Sequence, residues 1–556
     1  TLFGHFHQTS IQRFEIMVQV DMSKRQCKSL SSIFLIALFA FSEIQPKIVD
    51  ASNGPFSSHT VVPPGGSTAA QPKKRLTLDS MSANLKLMQY AVRGQVVILA
   101  DKINKDLQTG TGKYPFKDIL YTNIGNPHSV GQKALTWPRQ VMALVDLPEE
   151  AGVDHPDVGT LFPADTIERA RAIKAGMGGS GSGAYSHSQG VPCFRDDIVA
   201  FLEERDGGIK SNPDAIFMTN GASSGIGMIL GALMADGKCG AMIPIPQYPI
   251  YSASIDLLGG RQVGYFLDEN NGWDMNMEEL ERSLEEAKAD GTNVVCFVLI
   301  NPGNPTGQVL SKKAVQDVCR FCAKHNLVLL ADEVYQENVY DDNAEFVSCK
   351  LAAHEAGLID SNEIELVSFH STSKGLYGEC GLRGGFMELV GFDPDVKEEI
   401  YKLASSSLCS NLPGQIMTSL MCRGPKPGDL SYESHESEKQ AIFDSLKRRS
   451  EIVSEGLDSI PGFSCQKAAG SMYCFPSVEL PAKAVKAAEK QGIAPDTLYA
   501  LSLLENTGIC VVPASGFKQR DGRFGFRTTF LPSEAKMENA MTLFKKHHVD
   551  FCKKYK

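Results

Sequence analysis

A regular alternation of short apolar runs with helix-like stretches is the feature that most constrains the fold of this chain. Each apolar run ends in a polar or glycine-rich loop, as buried strands do. The segments Met277–Ala289 and Lys312–His325 separate some of these runs and have the apolar spacing of amphipathic helices. This alternation predicts an α/β fold with a mostly parallel sheet flanked by helices. The predicted strands are Ala215–Met218, Gly240–Ile245, Asn293–Ile300, Leu327–Ala331 and Leu366–Phe369.

The pattern changes along the 556 residues in a way that predicts four segments. Residues 1–75 are expected to be a disordered targeting and linker segment. Residues 76–165 are expected to form an N-terminal arm with helices that partly join a small domain. Residues 166–430 are expected to form the large, ligand-binding domain, because ligands bind at the carboxyl ends of parallel strands. Residues 431–556 are expected to form a smaller α+β domain, which opens with a long charged helix.

The N-terminal segment has the order of a targeting signal. A basic stretch at residues 24–28 precedes the apolar run Ile33–Phe41, as in a secretory-type signal. That run is too short for a stable membrane span, and residues 51–75 have the composition of a linker. The absence of acidic residues before Glu15 also suits an organelle presequence. The expected address is the mitochondrion, or a plastid reached through a secretory-type signal, and the cytosol stays open if the segment is not translated.

Composition excludes several functional classes. The chain is 42% hydrophobic and 22% charged, which is enough for a large core and excludes disorder throughout. Lys plus Arg number 55 against 65 for Asp plus Glu, and this net charge of −10 argues against a nucleic-acid partner. Fourteen cysteines are too dilute for a disulfide scaffold, and the scattered histidines predict no metal site.

Three motifs match functional patterns in part. The Gly-x-Gly-x-x-Gly motif at 176–181 follows a predicted helix rather than a strand, so its dinucleotide-binding context is missing. The Cys-x-x-Cys pair at 319–322 lies inside a predicted helix without a second pair, which favours core packing over zinc or redox chemistry. Gly-Ala-Ser-Ser-Gly at 221–225 fits a nucleophile elbow. It leaves open a serine hydrolase that would use Ser223, Asp332 and His370.

Three polar segments follow the predicted strands directly. They are Asn-Pro-Gly-Asn-Pro-Thr-Gly at 301–307, Ala-Asp-Glu-Val-Tyr at 331–335 and Ser-Thr-Ser-Lys-Gly at 371–375. With these segments in this order, the chain from about Ile119 to the C terminus resembles the class I/II aminotransferases, pyridoxal-phosphate enzymes of fold type I. Within that family, four further motifs are most similar to those of the alanine aminotransferases. These motifs lie at 123–128, 131–140, 185–190 and 378–385.

The resemblance implies a pyridoxal 5'-phosphate site around Lys374. The Lys374 amine would hold the cofactor aldehyde as a Schiff base. Asp332 would keep the pyridine nitrogen protonated, so that the ring accepts electrons. Tyr335 and Asn304 would donate hydrogen bonds to the phenolate oxygen and lower the pKa of the Schiff base. Tyr248 would stack on the ring.

A phosphate cradle is expected at the start of the predicted helix that contains Ala222 and Ser223. Free N–H groups and the helix dipole favour an anion there, and this use of Ser223 explains more of the chain than the nucleophile elbow. The resemblance completes the cradle with Ser371, Ser373 and Arg383, whose guanidinium suits bidentate phosphate contact. It also implies that Tyr185 reaches the phosphate of a partner subunit, and therefore a homodimer.

The resemblance assigns the substrate's α-carboxylate to Arg527, with Gly125 and Asn304 nearby. The implied reaction converts L-alanine and 2-oxoglutarate to pyruvate and L-glutamate by a ping-pong mechanism, with Lys374 as general base and acid. A glutamate:glyoxylate aminotransferase, a lyase of the same fold and a non-enzymatic regulator are the alternatives. The sequence does not identify what binds the distal carboxylate of 2-oxoglutarate.

Overall fold

A computed structural model of the chain describes residues 74–89, 94–179 and 181–556. Residues Leu76–Lys556 form one compact unit, so the division into an arm, a large domain and a small domain stays a prediction. The predicted disordered targeting segment spans residues 1–75, and its residues up to 73 lie outside the described part of the chain. None of the helices in the described ranges is long and apolar enough to cross a membrane.

The elements fall into three groups along the chain. The first contains α1 (Ala83–Leu87), α2 (Gln95–Thr109) and β1 (Leu120–Tyr121). The helices of the second are α3 (Thr136–Asp146), α4 (Val158–Leu161), α5 (Ala164–Gly176), α6 (Pro192–Arg205), α7 (Ala222–Leu233), α8 (Pro249–Leu258), α9 (Met277–Ala289), α10 (Lys312–His325), α11 (Cys349–Glu355), α12 (Pro394–Ser405) and α13 (Leu412–Cys422). Its strands are β2 (Ile216–Asn220), β3 (Cys239–Ile245), β4 (Arg261–Phe266), β5 (Asn293–Ile300), β6 (Val328–Asp332), β7 (Leu366–Ser371) and β8 (Gly384–Val390).

The third group completes the chain. Its helices are α14 (Tyr432–Asp458), α15 (Ala482–Gln491), α16 (Pro495–Thr507) and α17 (Glu534–Lys554). Its strands are β9 (Phe463–Ser464), β10 (Tyr473–Cys474), β11 (Ser477–Val478), β12 (Ile509–Cys510), β13 (Val512–Pro513) and β14 (Phe526–Thr529).

Strands β2 to β8 form one sheet in the order β2-β8-β7-β6-β5-β3-β4. Strand β8 runs antiparallel to β2 and β7, and the other neighbours are parallel. The predicted α/β fold with a mostly parallel sheet is therefore confirmed. The two helices predicted at 277–289 and 312–325 have the bounds of α9 and α10. Strand β8 was not predicted, because it opens with two glycines and lacks a continuous apolar run at its start.

Helices cover both faces of this sheet, and β5 shows how. Phe297 and Leu299 join an apolar cluster that includes side chains of α9, α10 and α11. Cys296, Val298 and Ile300 join another that includes side chains of α7 and α8. Side chains of a strand alternate between its two faces, so a run that is apolar throughout is buried on both. This is why the apolar runs identified the strands.

The C-terminal group surrounds a small antiparallel sheet in the order β10-β14-β13. Helices α14 and α17 contribute to its apolar cluster, and so does α2 from the first group. Strand β1 pairs in parallel with β12, from Leu120 opposite Ile509. These pairings bring the loop after β1 towards the C-terminal strands. Arg527, on β14, donates a hydrogen bond to Asn304 in the loop after β5, so the small sheet faces the carboxyl edge of the large one.

Candidate active site

The candidate site lies at the edge of the large sheet where several strands meet. Parallel β5, β6 and β7 end at this edge, with Ile300 opposite Asp332 in the β5–β6 pair. Because β8 runs in the opposite direction, it begins where the others end, and Gly385 pairs with Ser371 at the end of β7. Polar segments that follow separate strands are therefore collected in one place, as expected for a parallel sheet.

A cavity of about 210 Å³ opens at this edge. Every predicted site residue except Tyr185 lines it, and these residues are Gly125, Ala222, Ser223, Tyr248, Asn304, Asp332, Tyr335, Ser371, Ser373, Lys374, Arg383 and Arg527. Tyr185 lies outside this cavity, and 79% of its surface is exposed. The role of Tyr185 in a partner's site stays a prediction.

The Lys374 amine points across the cavity to the loop after β1. Its Nζ donates a hydrogen bond to the carbonyl oxygen of Gly125 at 3.0 Å and lies 5.7 Å from the centre of the Tyr335 ring. A Cβ atom at Gly125 would come within 2.9 Å of this Nζ and 2.5 Å of the Tyr473 hydroxyl. Glycine at 125 therefore leaves open the space between the lysine amine and the tyrosine hydroxyl.

Asp332 is a buried carboxylate whose two oxygens differ in their hydrogen bonding. Its side chain is 4% exposed, and Oδ2 accepts a hydrogen bond from the Tyr251 hydroxyl at 2.9 Å. Oδ1 is buried without a hydrogen-bond partner among the described residues. Burial raises the pKa of Asp332 to about 6, against the lowering effect of the Tyr251 hydrogen bond and the Lys374 charge. Asp332 lines the cavity, and a buried carboxylate oxygen without a partner suits a cationic N–H donor.

An anion cradle, formed by Arg383 and the start of α7, lies in the wall of the same cavity. Helix α7 starts at Ala222, after Gly221 in a left-handed conformation with φ of 73°. Arg383 donates hydrogen bonds to the Ser223 hydroxyl at 3.2 Å and to the Ser373 hydroxyl at 3.5 Å. A Cβ at Gly221 would lie 2.4 Å from this guanidinium, so only glycine lets the cation approach the helix start this closely. Helix N–H groups, hydroxyls and a guanidinium together suit a phosphate.

Arg527 is a second guanidinium in the cavity wall and is 1% exposed. It donates to the Asn304 side-chain oxygen at 3.1 Å and to the carbonyl oxygen of Asn123 at 2.5 Å. Its Nε has no partner among the described residues. The Asn304 oxygen faces Arg527, which leaves its amide N–H groups as donors for a ligand. A buried fork with unused donors suits a carboxylate.

Tyr251, Tyr473 and Cys380 were not among the predicted site residues. Tyr251 stands three residues after Tyr248, so helical spacing could have placed it on the same side of α8. Tyr473 and Cys380 line the cavity, but Tyr473 belongs to a two-residue strand whose sequence carries no periodic signal.

The serine hydrolase alternative is wrong, because its three residues do not form a triad. The Ser223 hydroxyl accepts a hydrogen bond from Arg383, and Asp332 accepts one from Tyr251. His370 is 1% exposed and stacks on Phe201, away from the cavity lining. Burial lowers the pKa of His370 to about 3. Side chains alternate along β7, so His370 and Ser371 point to opposite faces of the sheet.

The remaining motifs have structural explanations. Helix α5 ends at Gly176, so the glycine-rich motif does follow a helix. Cys319 and Cys322 are buried in the apolar side of α10. In the described part of the chain, no group of three or more His, Cys, Asp or Glu side chains is placed to hold a metal ion.

The sequence model of the family "Aminotransferase class I and II" matches residues 161–544, and the chain belongs to this family. The chain is 46% identical over 539 residues to "Alanine aminotransferase 2, mitochondrial" of Arabidopsis thaliana, covering 96% of this chain and 97% of that protein. It is 45% identical over 482 residues to "Glutamate--glyoxylate aminotransferase 2" of the same plant, covering 87% and 98%. An aminotransferase structure from Escherichia coli superposes with a TM-score of 0.66 at 25% identity, covering 85% of this chain and 98% of that one.

Proposed function

We propose that this aminotransferase uses pyridoxal 5'-phosphate to convert L-alanine and 2-oxoglutarate into pyruvate and L-glutamate. The observation that carries the proposal is the arrangement of three groups around one cavity. They are the Lys374 amine, the unpartnered oxygen of Asp332 and the cradle built by Arg383 at the start of α7. The relative named as an alanine aminotransferase supports the choice of substrate.

The residues present fit this cofactor. The free Asp332 Oδ1 would accept the N–H of a pyridinium ring, and the Arg383 cradle would hold the phosphate. Tyr248 lines the cavity beside them and would stack on the ring. Lys374 would form the covalent link. Bound there, pyridoxal phosphate supplies an aldehyde that condenses with amines and a ring that accepts electrons.

Side chains of the protein would bind the substrate and transfer its protons. Arg527 would hold the α-carboxylate, and the Asn304 amide would donate beside it. The Lys374 amine, once freed from its link, would take the proton from the substrate's α-carbon at Nζ and give it back at another carbon. The Tyr335 hydroxyl would donate to the ring oxygen of the cofactor. The protein shields three of these groups from water, since Asn304, Tyr335 and Arg527 are each less than 5% exposed.

Aspartate is expected to be a poor substrate. The Lys and Arg residues among the described cavity lining are Lys374, Arg383 and Arg527, and each already has a proposed role. The side-chain carboxylate of aspartate would need a further cation at the reach of a four-carbon acid, and an unpaired buried carboxylate is costly. The distal carboxylate of 2-oxoglutarate lies one carbon farther from the α-carbon and needs a partner outside these three cations. The methyl group of alanine carries no such requirement. A comparison of kcat/KM for the two amino acids, with 2-oxoglutarate as acceptor, tests this point.

An absorbance spectrum of the purified protein, with and without L-alanine, tests the cofactor and the reaction together. The cofactor band should bleach when alanine is added, and borohydride reduction followed by peptide mapping should place the label on Lys374. Lys374→Ala should abolish both, while Lys102→Ala, an exposed lysine on α2, should abolish neither. A label on another lysine, or a band insensitive to alanine, would overturn the proposal.

A glutamate:glyoxylate aminotransferase is the second candidate, supported by the 45% identical relative of that name. The discriminating measurement is kcat/KM for 2-oxoglutarate with alanine as donor against that for glyoxylate with glutamate as donor. Product analysis in the same assay separates a transaminase from a lyase.

We also propose a homodimer and a mitochondrial address. Tyr185 is exposed outside its own subunit's cavity, which suits a role in a partner's phosphate cradle. Light scattering tests the dimer, and mixing Tyr185→Phe with Lys374→Ala subunits tests whether the sites are shared. The similarity to the relative named as mitochondrial covers 96% of this chain, and imaging of the full chain fused to a fluorescent protein tests the address.

A further inference from the structure

We propose that Tyr473 is a positioning residue of this site, which orients Tyr335 through its hydroxyl and Arg527 through its ring. The inference rests on the proposed function and adds a residue to it. Tyr473 lines the cavity and is 2% exposed. It lies on β10, far along the chain from the segments that follow the large sheet's strands.

The hydroxyl of Tyr473 contacts Tyr335 and borders the same space beside Gly125 as the Lys374 amine. It accepts a hydrogen bond from the Tyr335 hydroxyl at 3.2 Å, and the two rings meet edge to face, with centres 5.9 Å apart. The open space above Gly125 separates it from the Lys374 amine. A hydrogen bond to a neighbour fixes the torsion of a phenol O–H. Tyr473 therefore fixes the position of the Tyr335 oxygen. With the cofactor bound, this pair would reverse, so that the Tyr473 O–H donates to Tyr335 and the single O–H of Tyr335 is left to donate to the ring oxygen.

The ring of Tyr473 is a platform for Arg527. The guanidinium carbon lies 4.3 Å from the centre of this ring and 5.0 Å from that of Phe517, so the cation contacts two aromatic faces. Tyr473 pairs with Thr529 on β14, two residues beyond Arg527. Residues two apart on a strand share a face, so Tyr473 and Arg527 are diagonal neighbours. The stacking fixes the plane of the guanidinium fork.

The charges around Tyr473 support this arrangement. Burial would raise the pKa of its phenol, but the Lys374 and Arg527 charges and the Tyr335 hydrogen bond together lower it below the ordinary value. The two cations therefore stabilise negative charge on the phenol oxygen and make the Tyr473 O–H a stronger hydrogen-bond donor. One side chain thus links the end of the site that would hold the carboxylate to the end that would hold the cofactor ring.

Two substitutions separate the hydroxyl from the ring. Tyr473→Phe removes the hydroxyl and keeps the platform, so kcat should fall about tenfold while KM for alanine and glutamate stays within about threefold. Tyr473→Leu removes both, so KM for both amino acids should also rise about tenfold. Tyr499→Phe is the matched control, because Tyr499 is a buried tyrosine of the same apolar cluster whose hydroxyl has no partner among the described residues.

A spectral titration of the holoenzyme without substrate gives a readout that mere loss of stability would not move. In the cofactor-bound protein, loss of the Tyr473 O–H that donates to Tyr335 should weaken donation by Tyr335 to the ring oxygen and raise the pKa of the lysine–cofactor link by about half a unit. Added to Tyr335→Phe, the Tyr473→Phe substitution should shift this pKa no further than Tyr335→Phe does alone, because the effect passes through Tyr335. Tyr499→Phe should leave the titration unchanged.

The outcomes distinguish the two proposals. Wild-type protein that shows no alanine-sensitive band would overturn the proposed function itself. Active wild-type protein with a Tyr473→Phe variant of unchanged kcat and unchanged spectral pKa would overturn the role of Tyr473 alone. An equal loss in Tyr499→Phe, or a further shift in the double variant beyond that of Tyr335→Phe, would likewise overturn it. Tyr473→Phe alone tests the role of the Tyr473 hydroxyl, so the proposal can still be tested if Tyr473→Leu fails to fold.

Discussion

Replacing Asp332 with asparagine tests how much the burial of this carboxylate costs the cofactor-free protein. The side chain is 4% exposed, and its Oδ1 has no hydrogen-bond partner among the described residues. Burial raises its pKa from 3.8 to about 6. The difference corresponds to about 3 kcal/mol, at about 1.4 kcal/mol for each pKa unit. The buried Asp332 charge thus lowers the stability of the cofactor-free protein by this amount, and a cationic ligand would offset the loss.

The sign follows from proton linkage. The folded protein binds the Asp332 proton more tightly than the unfolded chain does, so this cost is absent below pH 3.8 and complete above about pH 6. Asp332→Asn is therefore expected to raise the free energy of unfolding of the cofactor-free protein by up to about 3 kcal/mol at pH 8. The gain should shrink as the pH falls from 6 towards 4. The same variant should lose at least about 100-fold in kcat, because the ring nitrogen loses its anionic partner.

The assay is urea denaturation of cofactor-free wild-type and variant protein at pH 8 and pH 4.5. Glu534→Gln is the control, because it removes the same charge from a carboxylate whose pKa is lowered by hydrogen bonds from Arg448 and Ser445. This control should be no more stable than wild type at pH 8. The reasoning is refuted if Asp332→Asn brings no gain at pH 8, or if its gain is the same at both pH values.

Three further predictions concern the substrate end of the site and the N-terminal segment. Arg527→Lys should weaken alanine and glutamate alike, by about 30-fold or more in kcat/KM, because a buried fork with two fixed hydrogen bonds is lost; an effect on one substrate alone would contradict this. Gly125→Ala should lower kcat/KM at least about tenfold, because the methyl group would enter the space between Lys374 and Tyr473; wild-type activity would show that this space is not used. Removal of residues 1–75 should leave alanine transamination within a few-fold of the full chain, and loss of soluble, active enzyme would show that the segment is structural.

The sequence identified those parts of the site that follow buried parallel strands. Asn304, Asp332 and Lys374 belong to polar segments after successive apolar runs, and the ends of parallel strands share one edge. Helices α9 and α10 were located with their observed bounds because apolar spacing and end signals agree, as with Ser311 at the start of α10 and Asn326 at its end. Patterns of this kind are local, so they are visible in a single chain.

Resemblance to a family, and not spacing, predicted Arg527 and Gly125. Gly125 contacts Lys374 across 249 positions of sequence, and Arg527 contacts Asn304 across 223. Contacts at such separations produce no periodic pattern in the sequence. The strands that precede Gly125 and contain Arg527, β1 and β14, have only two and four residues, which is too short for a recognisable alternation.

By itself, the sequence determined the α/β fold and the chemistry collected at the edge of its sheet, because hydrophobic periodicity and strand-end motifs are encoded within short windows. Only the tertiary structure decided how the small sheet closes over that edge. It placed Tyr473 between Tyr335 and Arg527, left one oxygen of Asp332 without a partner and turned His370 away from Ser223. The physical reason is that these features depend on the register between distant strands and on burial by several elements at once. Neither can be inferred from the residues that neighbour each position in the sequence.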